Sequence, residues 1–136
     1  MYQKTILNNG LRIVSETMPQ THSVSICVFV GVGSRYETNA RAGISHFVEH
    51  VLFRGTKSRL TSRDISEAIE GVGGILNGGT DRESTVYWCK VARPHFEMAL
   101  DVLSDMLLNS RLEVEDIEKE RQVIIEEINM SYDSHQ

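Results

Sequence analysis

The sequence predicts an α+β fold in which an antiparallel-rich sheet carries helices on one face. Three observations predict it: a hairpin signal near the start, short strand-forming runs on either side of two helical stretches, and a long charged helix at the end. Gln3 to Leu7 and Leu11 to Thr17 read as strands because they flank Asn8-Asn9-Gly10, and an Asn-Gly pair accepts the left-handed backbone of a tight hairpin. Ser23 to Gly31 reads as a third strand. Its apolar stretch, Val24 to Val32, is far too short for a membrane span and suits a buried strand. Gly33 to Ala42 is polar and reads as a loop before a helix that carries His46 to His50. A second helix opens at Thr61 or Ser62, either of which can cap it, and stops at Gly71. Two strands follow, Gly74 to Gly79 and Glu83 to Val91, then a helix from Pro94, where a missing N–H costs nothing. Leu112 to Tyr132 forms the last helix. With no internal repeat or low-complexity segment, residues 1–136 read as one domain.

Composition narrows the class. A chain with 40% hydrophobic and 24% charged residues can bury one core in water, and a net charge of -5 argues against a nucleic-acid partner. Cys27 and Cys89 are too few for a disulfide framework and belong to no Cys-x-x-Cys pair, so both read as reduced thiols. The N-terminus enters the hairpin at once, which leaves no room for a signal or transit peptide. A cytoplasmic location without a membrane span is the expectation.

The chemistry concentrates in His46-Phe47-Val48-Glu49-His50. Helical residues advance by roughly 100°, so imidazoles four apart share a face and their nitrogens can converge on one ion. Ile44, Phe47, Val48, Val51 and Leu52 gather on one side of the wheel and His46, Glu49 and His50 on the other, which predicts core and chemistry on opposite faces. Zinc accepts imidazole nitrogen, and a catalytic site keeps one position open after three protein ligands. Glu49 suits the general base better than the third ligand. The order His-x-x-Glu-His occurs among metallopeptidase motifs, although two histidines and a glutamate also occur on an ordinary solvated helix face.

Three carboxylates of the last helix compete for the third position: Glu120, Glu126 and Glu127. Ile117, Ile124 and Ile128 mark its apolar face, with Glu120 and Glu127 on one shoulder and Glu126 nearly opposite, so geometry prefers Glu127 to Glu126. Glu120, two turns earlier, is placed to hydrogen-bond a ligand histidine and fix its tautomer. The segment Gly73 to Tyr87 reads either as an edge strand to which an extended peptide adds, with Asn77 bonding the substrate backbone, or as a glycine bulge that Asn77 caps. Phe53 falls near the ligand face and is a candidate wall of the substrate pocket, whereas Phe47 reads as core. His22, His95 and His135 lack partners at ligand spacing and read as exposed. No Gly-x-Ser-x-Gly elbow supports a nucleophilic serine.

Taken together, Leu7-Asn8-Asn9-Gly10-Leu11-Arg12-Ile13-Val14, Gly31 to Glu37, Gly43 to Thr56, Gly73 to Asn77 with Thr80, Glu83, Thr85 and Tyr87, and Glu120 to Ile128 carry a resemblance. The chain resembles the N-terminal part of an insulinase/pitrilysin-type zinc metallopeptidase, an inverzincin, of the processing-peptidase branch. The resemblance implies a processing-peptidase-like metallohydrolase fold, one zinc ion per chain and the later glutamate, Glu127, as third ligand. It also tips Gly73 to Tyr87 toward the substrate-edge strand. One departure is Gly78, where relatives usually carry alanine, and glycine there is expected to loosen the strand.

The implied activity is a zinc endopeptidase that hydrolyses peptides or unfolded precursor segments with a metal-activated water. The alternative is a non-catalytic relative serving peptide capture or assembly, which the presence of His46, Glu49, His50 and Glu127 disfavours. The resembling family is longer and built from two similar halves, so the chain is expected to be truncated, with the missing C-terminal half as a partner and a homodimer as a further assembly. Without that half, the 136-residue chain is expected to bind zinc but cleave peptides poorly or not at all. Fast, chelator-sensitive hydrolysis of an unstructured peptide by the chain alone would overturn this.

Overall fold

The structure is a computed structural model that describes residues 1–133, so His135 falls outside it. Strands β1 (Tyr2–Ile6) and β2 (Arg12–Glu16) form the expected hairpin, closed by Gly10 at φ 86°. They stand apart as a two-stranded sheet with every residue exposed, rather than joining one common sheet. The register explains this. Lys4 faces Val14 and Ile6 faces Arg12, so apolar and charged groups alternate across the same face and neither face offers a continuous apolar strip.

The main sheet has three strands in the order β3-β5-β4, antiparallel throughout: β3 (Ser23–Val30), β4 (Ile75–Thr80) and β5 (Thr85–Ala92). Central strand β5 alternates strictly, burying Thr85, Tyr87, Cys89 and Val91. Against that face pack Ile65 and Ile69 of α2 (Ser62–Glu70) and Ala99, Val102, Leu103 and Met106 of α3 (Phe96–Asn109), giving the α+β layering that the sequence predicts. Strand β4 pairs only with β5, which leaves its other edge free among the described residues.

Thr61 caps α2 through a reciprocal box with Asp64, whose amide donates to Thr61 Oγ1 at 3.1 Å while Thr61 N donates to Asp64 Oδ2 at 2.9 Å. Gly71 keeps a right-handed φ of -61°. The left-handed turn falls at Gly73, φ 75°, two residues later than the sequence suggests. Pro94 sits in a short 3₁₀ turn, Arg93–His95, ahead of α3.

Helix α1 (Ile44–Leu52) lies against both β4 and α4 (Val114–Asp133). This reverses part of the wheel expectation. Glu49 and Ser45 are buried, whereas Ile44 and Val48 are exposed, because the polar side of α1 is the side covered by the strand and by α4. Just beyond α1, the fully buried Thr56 donates through Oγ1 to Asp105 Oδ2 at 2.5 Å, and Arg59 Nη1 donates to the same oxygen at 2.9 Å. These bonds tie the exit of α1 to α3. No helix among the described residues is long and apolar enough to cross a membrane.

Candidate metal centre

Helix α1 begins at a left-handed glycine, Gly43, with no side-chain cap of its own. Its first amides are met from outside the helix: Gly43 N donates to Glu37 Oε2 at 2.7 Å and Ser45 N to Glu37 Oε1 at 2.8 Å. A carboxylate here satisfies orphan N–H groups and faces the positive end of the helix dipole. The Ser45 amide first, with that of Gly43, holds the Glu37 carboxyl below the usual carboxylate range.

One turn into α1, His46 and His50 project together, with ring centroids 4.6 Å apart and planes at 85°. His50 Nδ1 lies 2.9 Å from Glu120 Oε2. Glu120 is 1% exposed and also forms an ion pair with Arg54. A carboxylate facing a guanidinium can only accept, so His50 carries its proton on Nδ1 and a lone pair on Nε2. That Nε2 stands 3.0 Å from His46 Nε2, and Glu127 Oε2 lies 3.8 Å from each of them. Two imidazole nitrogens brought this close need a proton or a cation between them. Four-coordinate zinc, with bonds of about 2.0–2.1 Å, spaces its ligands roughly 3.3 Å apart, so the donor set fits with shifts of a few tenths of an ångström. Ligand atoms of His46, His50 and Glu127 all lie within 4.8 Å of one another, the one such grouping of three among the described residues.

Glu49, one residue before His50, turns toward β4, where Thr80 Oγ1 donates to its Oε2 at 2.6 Å. Burial pushes the Tyr87 hydroxyl up to about 12, and the Glu49 carboxylate pushes in the same direction, so this phenol stays neutral beside the carboxylate. Glu126, the rejected competitor, is exposed; Ile128, expected on the apolar face of α4, is exposed as well.

The remaining predicted residues meet at one cleft of roughly 320 Å³, lined by Glu49, His50, Phe53, Leu76, Asn77 and Gly78 among others. Phe53 is half-buried there with its ring 6.2 Å from that of Tyr87. Asn77 is exposed on β4, where its Oδ1 accepts from the amide of Gly78 at 2.8 Å. His22 is exposed and His95 half-buried, and neither joins a ligand grouping.

Sequence reasoning missed Glu37, Arg54 and Thr80 as groups that hold this arrangement. Arg54 carried a usable signal, since it follows His50 by four residues and so shares its helical face. Thr80 alternates with Leu76 and Gly78 on the face of β4 toward the helices, but nothing local to it names Glu49 as its partner. Glu37 has no local signal at all.

Residues 12–136 match the insulinase family, peptidase family M16. The chain is 47% identical over 130 residues to a Mycobacterium leprae protein named "uncharacterized zinc protease", covering 96% of this chain and 29% of that protein. It is 42% identical over 134 residues to the "uncharacterized zinc protease YmxG" of Bacillus subtilis, covering 98% of this chain and 32% of that one. The chain thus spans about a third or less of the curated relatives it matches. Among solved structures it is similar to a protease from Helicobacter pylori, with TM-score 0.88 and 28% identity over 93% of this chain and 30% of the other. It is also similar to pitrilysin, with TM-score 0.84 and 28% identity over 96% and 14%.

The Glu37 cap makes a pH prediction. Its folded pKa lies below the ordinary carboxylate value of 4.5, so the stability it contributes is complete above that value and is lost as pH falls through the lower, folded one. The melting midpoints of the wild-type chain and of Glu37→Gln are therefore expected to differ near neutral pH and to converge in acid. A constant difference down the acid limb would show that the carboxylate charge plays no part.

Proposed function

Because the chain belongs to the insulinase family of peptidases, family M16, we propose that it supplies the metal centre and general base of a zinc-dependent endopeptidase acting on peptides or unfolded precursor segments. The observation that carries the proposal is the convergence of His46 Nε2, His50 Nε2 and Glu127 Oε2, two nitrogens 3.0 Å apart and an oxygen 3.8 Å from both. These three atoms would hold one zinc ion. When bound, zinc supplies Lewis acidity that polarises the scissile carbonyl and makes water acidic enough to attack near neutral pH.

The chain's own groups account for the rest. Glu49 takes the proton of the attacking water and passes it to the leaving amine nitrogen, so one carboxylate serves as base and then as acid. No covalent acyl-enzyme is required. Glu120 keeps the His50 proton on Nδ1, which leaves the Nε2 lone pair for the ion and raises its donor strength. An extended substrate adds to the free edge of β4 as an antiparallel strand, with Asn77 contacting its backbone and Phe53 walling a side-chain pocket. Residues 1–136 act as a single catalytic domain, and the remaining length of a polypeptide the size of the relatives supplies further substrate contacts. Reduced Cys27 and Cys89, neither in a disulfide, fit a cytoplasmic setting.

In the complete polypeptide that carries this chain, Glu49→Gln is expected to lower kcat by about 10²- to 10⁴-fold with zinc content unchanged, whereas His50→Ala loses the metal. Metal analysis beside a peptide-hydrolysis assay reads both, and an undiminished rate in Glu49→Gln removes it as the base. Glu120→Gln keeps side-chain size and is expected to weaken zinc affinity by roughly 10- to 100-fold in a competitive chelator titration. Unaltered affinity would leave Glu120 a packing residue only.

A further inference from the structure

We infer that Thr80 is a positioning residue for Glu49: its hydroxyl fixes one oxygen of the base and thereby aims the other at the reacting water. The inference rests on the proposed role of Glu49 and adds a residue to it.

The geometry is specific about the proton. Thr80 Oγ1 lies 2.6 Å from Glu49 Oε2 and 3.3 Å from Thr85 Oγ1. Thr85 spends its own proton on the carbonyl of Val32 at 2.9 Å. A hydroxyl has one hydrogen, and the charged acceptor at the shorter distance takes it, so the Thr80 proton belongs to the carboxylate. Among the described residues Glu49 has no ion-pair partner, and its one hydrogen-bond donor is the Thr80 hydroxyl on Oε2, with none on Oε1. Glu49 is nearly buried yet lines the cleft beside His50. One oxygen is thus held inside and the other is free to act.

The position of Thr80 is itself over-determined. It is the last residue of β4, paired with Thr85 across a tight turn in which Asp81 N donates to Ser84 O at 2.9 Å. The turn is clamped from outside: Ser34 N donates to Asp81 O at 3.2 Å and Arg35 N to Arg82 O at 2.8 Å, while Arg35 forms an ion pair with Glu83. Gly33 permits this approach, because a Cβ there would sit 2.2 Å from Asp81 O. Four residues on, Glu37 caps α1. A single loop therefore fixes both the strand that carries the donor and the helix that carries the base.

A base held to within a fraction of an ångström affects turnover more than binding, since misplacement by about 1 Å can cost 10²-fold in rate. In the complete polypeptide, Thr80→Val, which keeps the shape and removes the hydroxyl, is expected to lower kcat by roughly 10²-fold with KM and zinc content little changed. Thr80→Ser, which restores the donor, is expected to recover most of the rate. Thr80→Val with wild-type kcat, alongside a Glu49→Gln protein that has lost turnover, overturns this inference and leaves the base assignment standing. If Glu49→Gln keeps its turnover, the base assignment fails and this inference fails with it. If both Thr80 variants lose zinc or melt early in step with their rates, the threonine is structural and the inference falls.

Discussion

The site depends on one buried charge. Glu120 of α4 is 1% exposed, and a carboxylate so placed must be paired; removing a partner from such a group costs about 3–5 kcal/mol. Its partners, His50 and Arg54, are four residues apart on α1 and the segment that follows it, so they form one surface one helical turn apart. That requirement locks α4 onto α1 in a single register. Seven residues beyond Glu120 on α4 is Glu127, about two turns further along the same side, and on α1 the matching step back from His50 is His46. The two helices thus run in opposite directions along their contact, and pairing Glu120 correctly brings Glu127 over both imidazoles. The exposed carboxylate is positioned by the buried one.

A second constraint acts at the other side of α1. The stretch from Val32 to Glu37 accepts a hydrogen bond from Thr85, donates two to the β4–β5 turn and caps the N-terminus of α1. The contacts to the turn are made by backbone amides and the one to α1 by a carboxylate that accepts from two amides at once, so each end of the loop is held at more than one point. They fix the distance between strand and helix, and Glu49 and Thr80 meet across that distance.

Part of this was legible in the sequence where periodicity carries it. The shared face of His46 and His50, and the shoulder of α4 that sets Glu120 and Glu127 apart from Glu126, follow from helical geometry, because each compares residues within one helix. What was illegible depends on which neighbour covers a face. The wheel separated His46, Glu49 and His50 from Ile44 and Val48 correctly, and Val51 on its apolar side is buried as expected; yet β4 and α4 also cover the polar side, and Ile44 and Val48 are left exposed. Glu37 and Thr80 are read only once strand, loop and helix are assembled, since their partners lie eight and 31 residues away. The hairpin was recognised from Asn9-Gly10, but its separation from the main sheet follows from cross-strand pairs that only the register defines.

Gly78 shows how a local rule can name the right residue for the wrong reason. Glycine was expected to loosen the strand, but Gly78 is absent from the residues with positive φ and pairs in register with Tyr87. Its backbone freedom is unused. The missing side chain matters instead: a Cβ at Gly78 would lie 3.0 and 3.2 Å from the Phe53 ring and 3.3 Å from Glu49 Cγ. The ring and the Glu49 side chain close over the strand where a methyl group would otherwise hold them off by a few tenths of an ångström. The same face of β4 then presents Gly78 to the stem of Glu49 and Thr80 to its carboxylate, one contact by shape and one by hydrogen bond. Strand and carboxylate are therefore fitted to each other along the whole side chain, which is what the proposed role of Glu49, moving a proton to a defined point, requires.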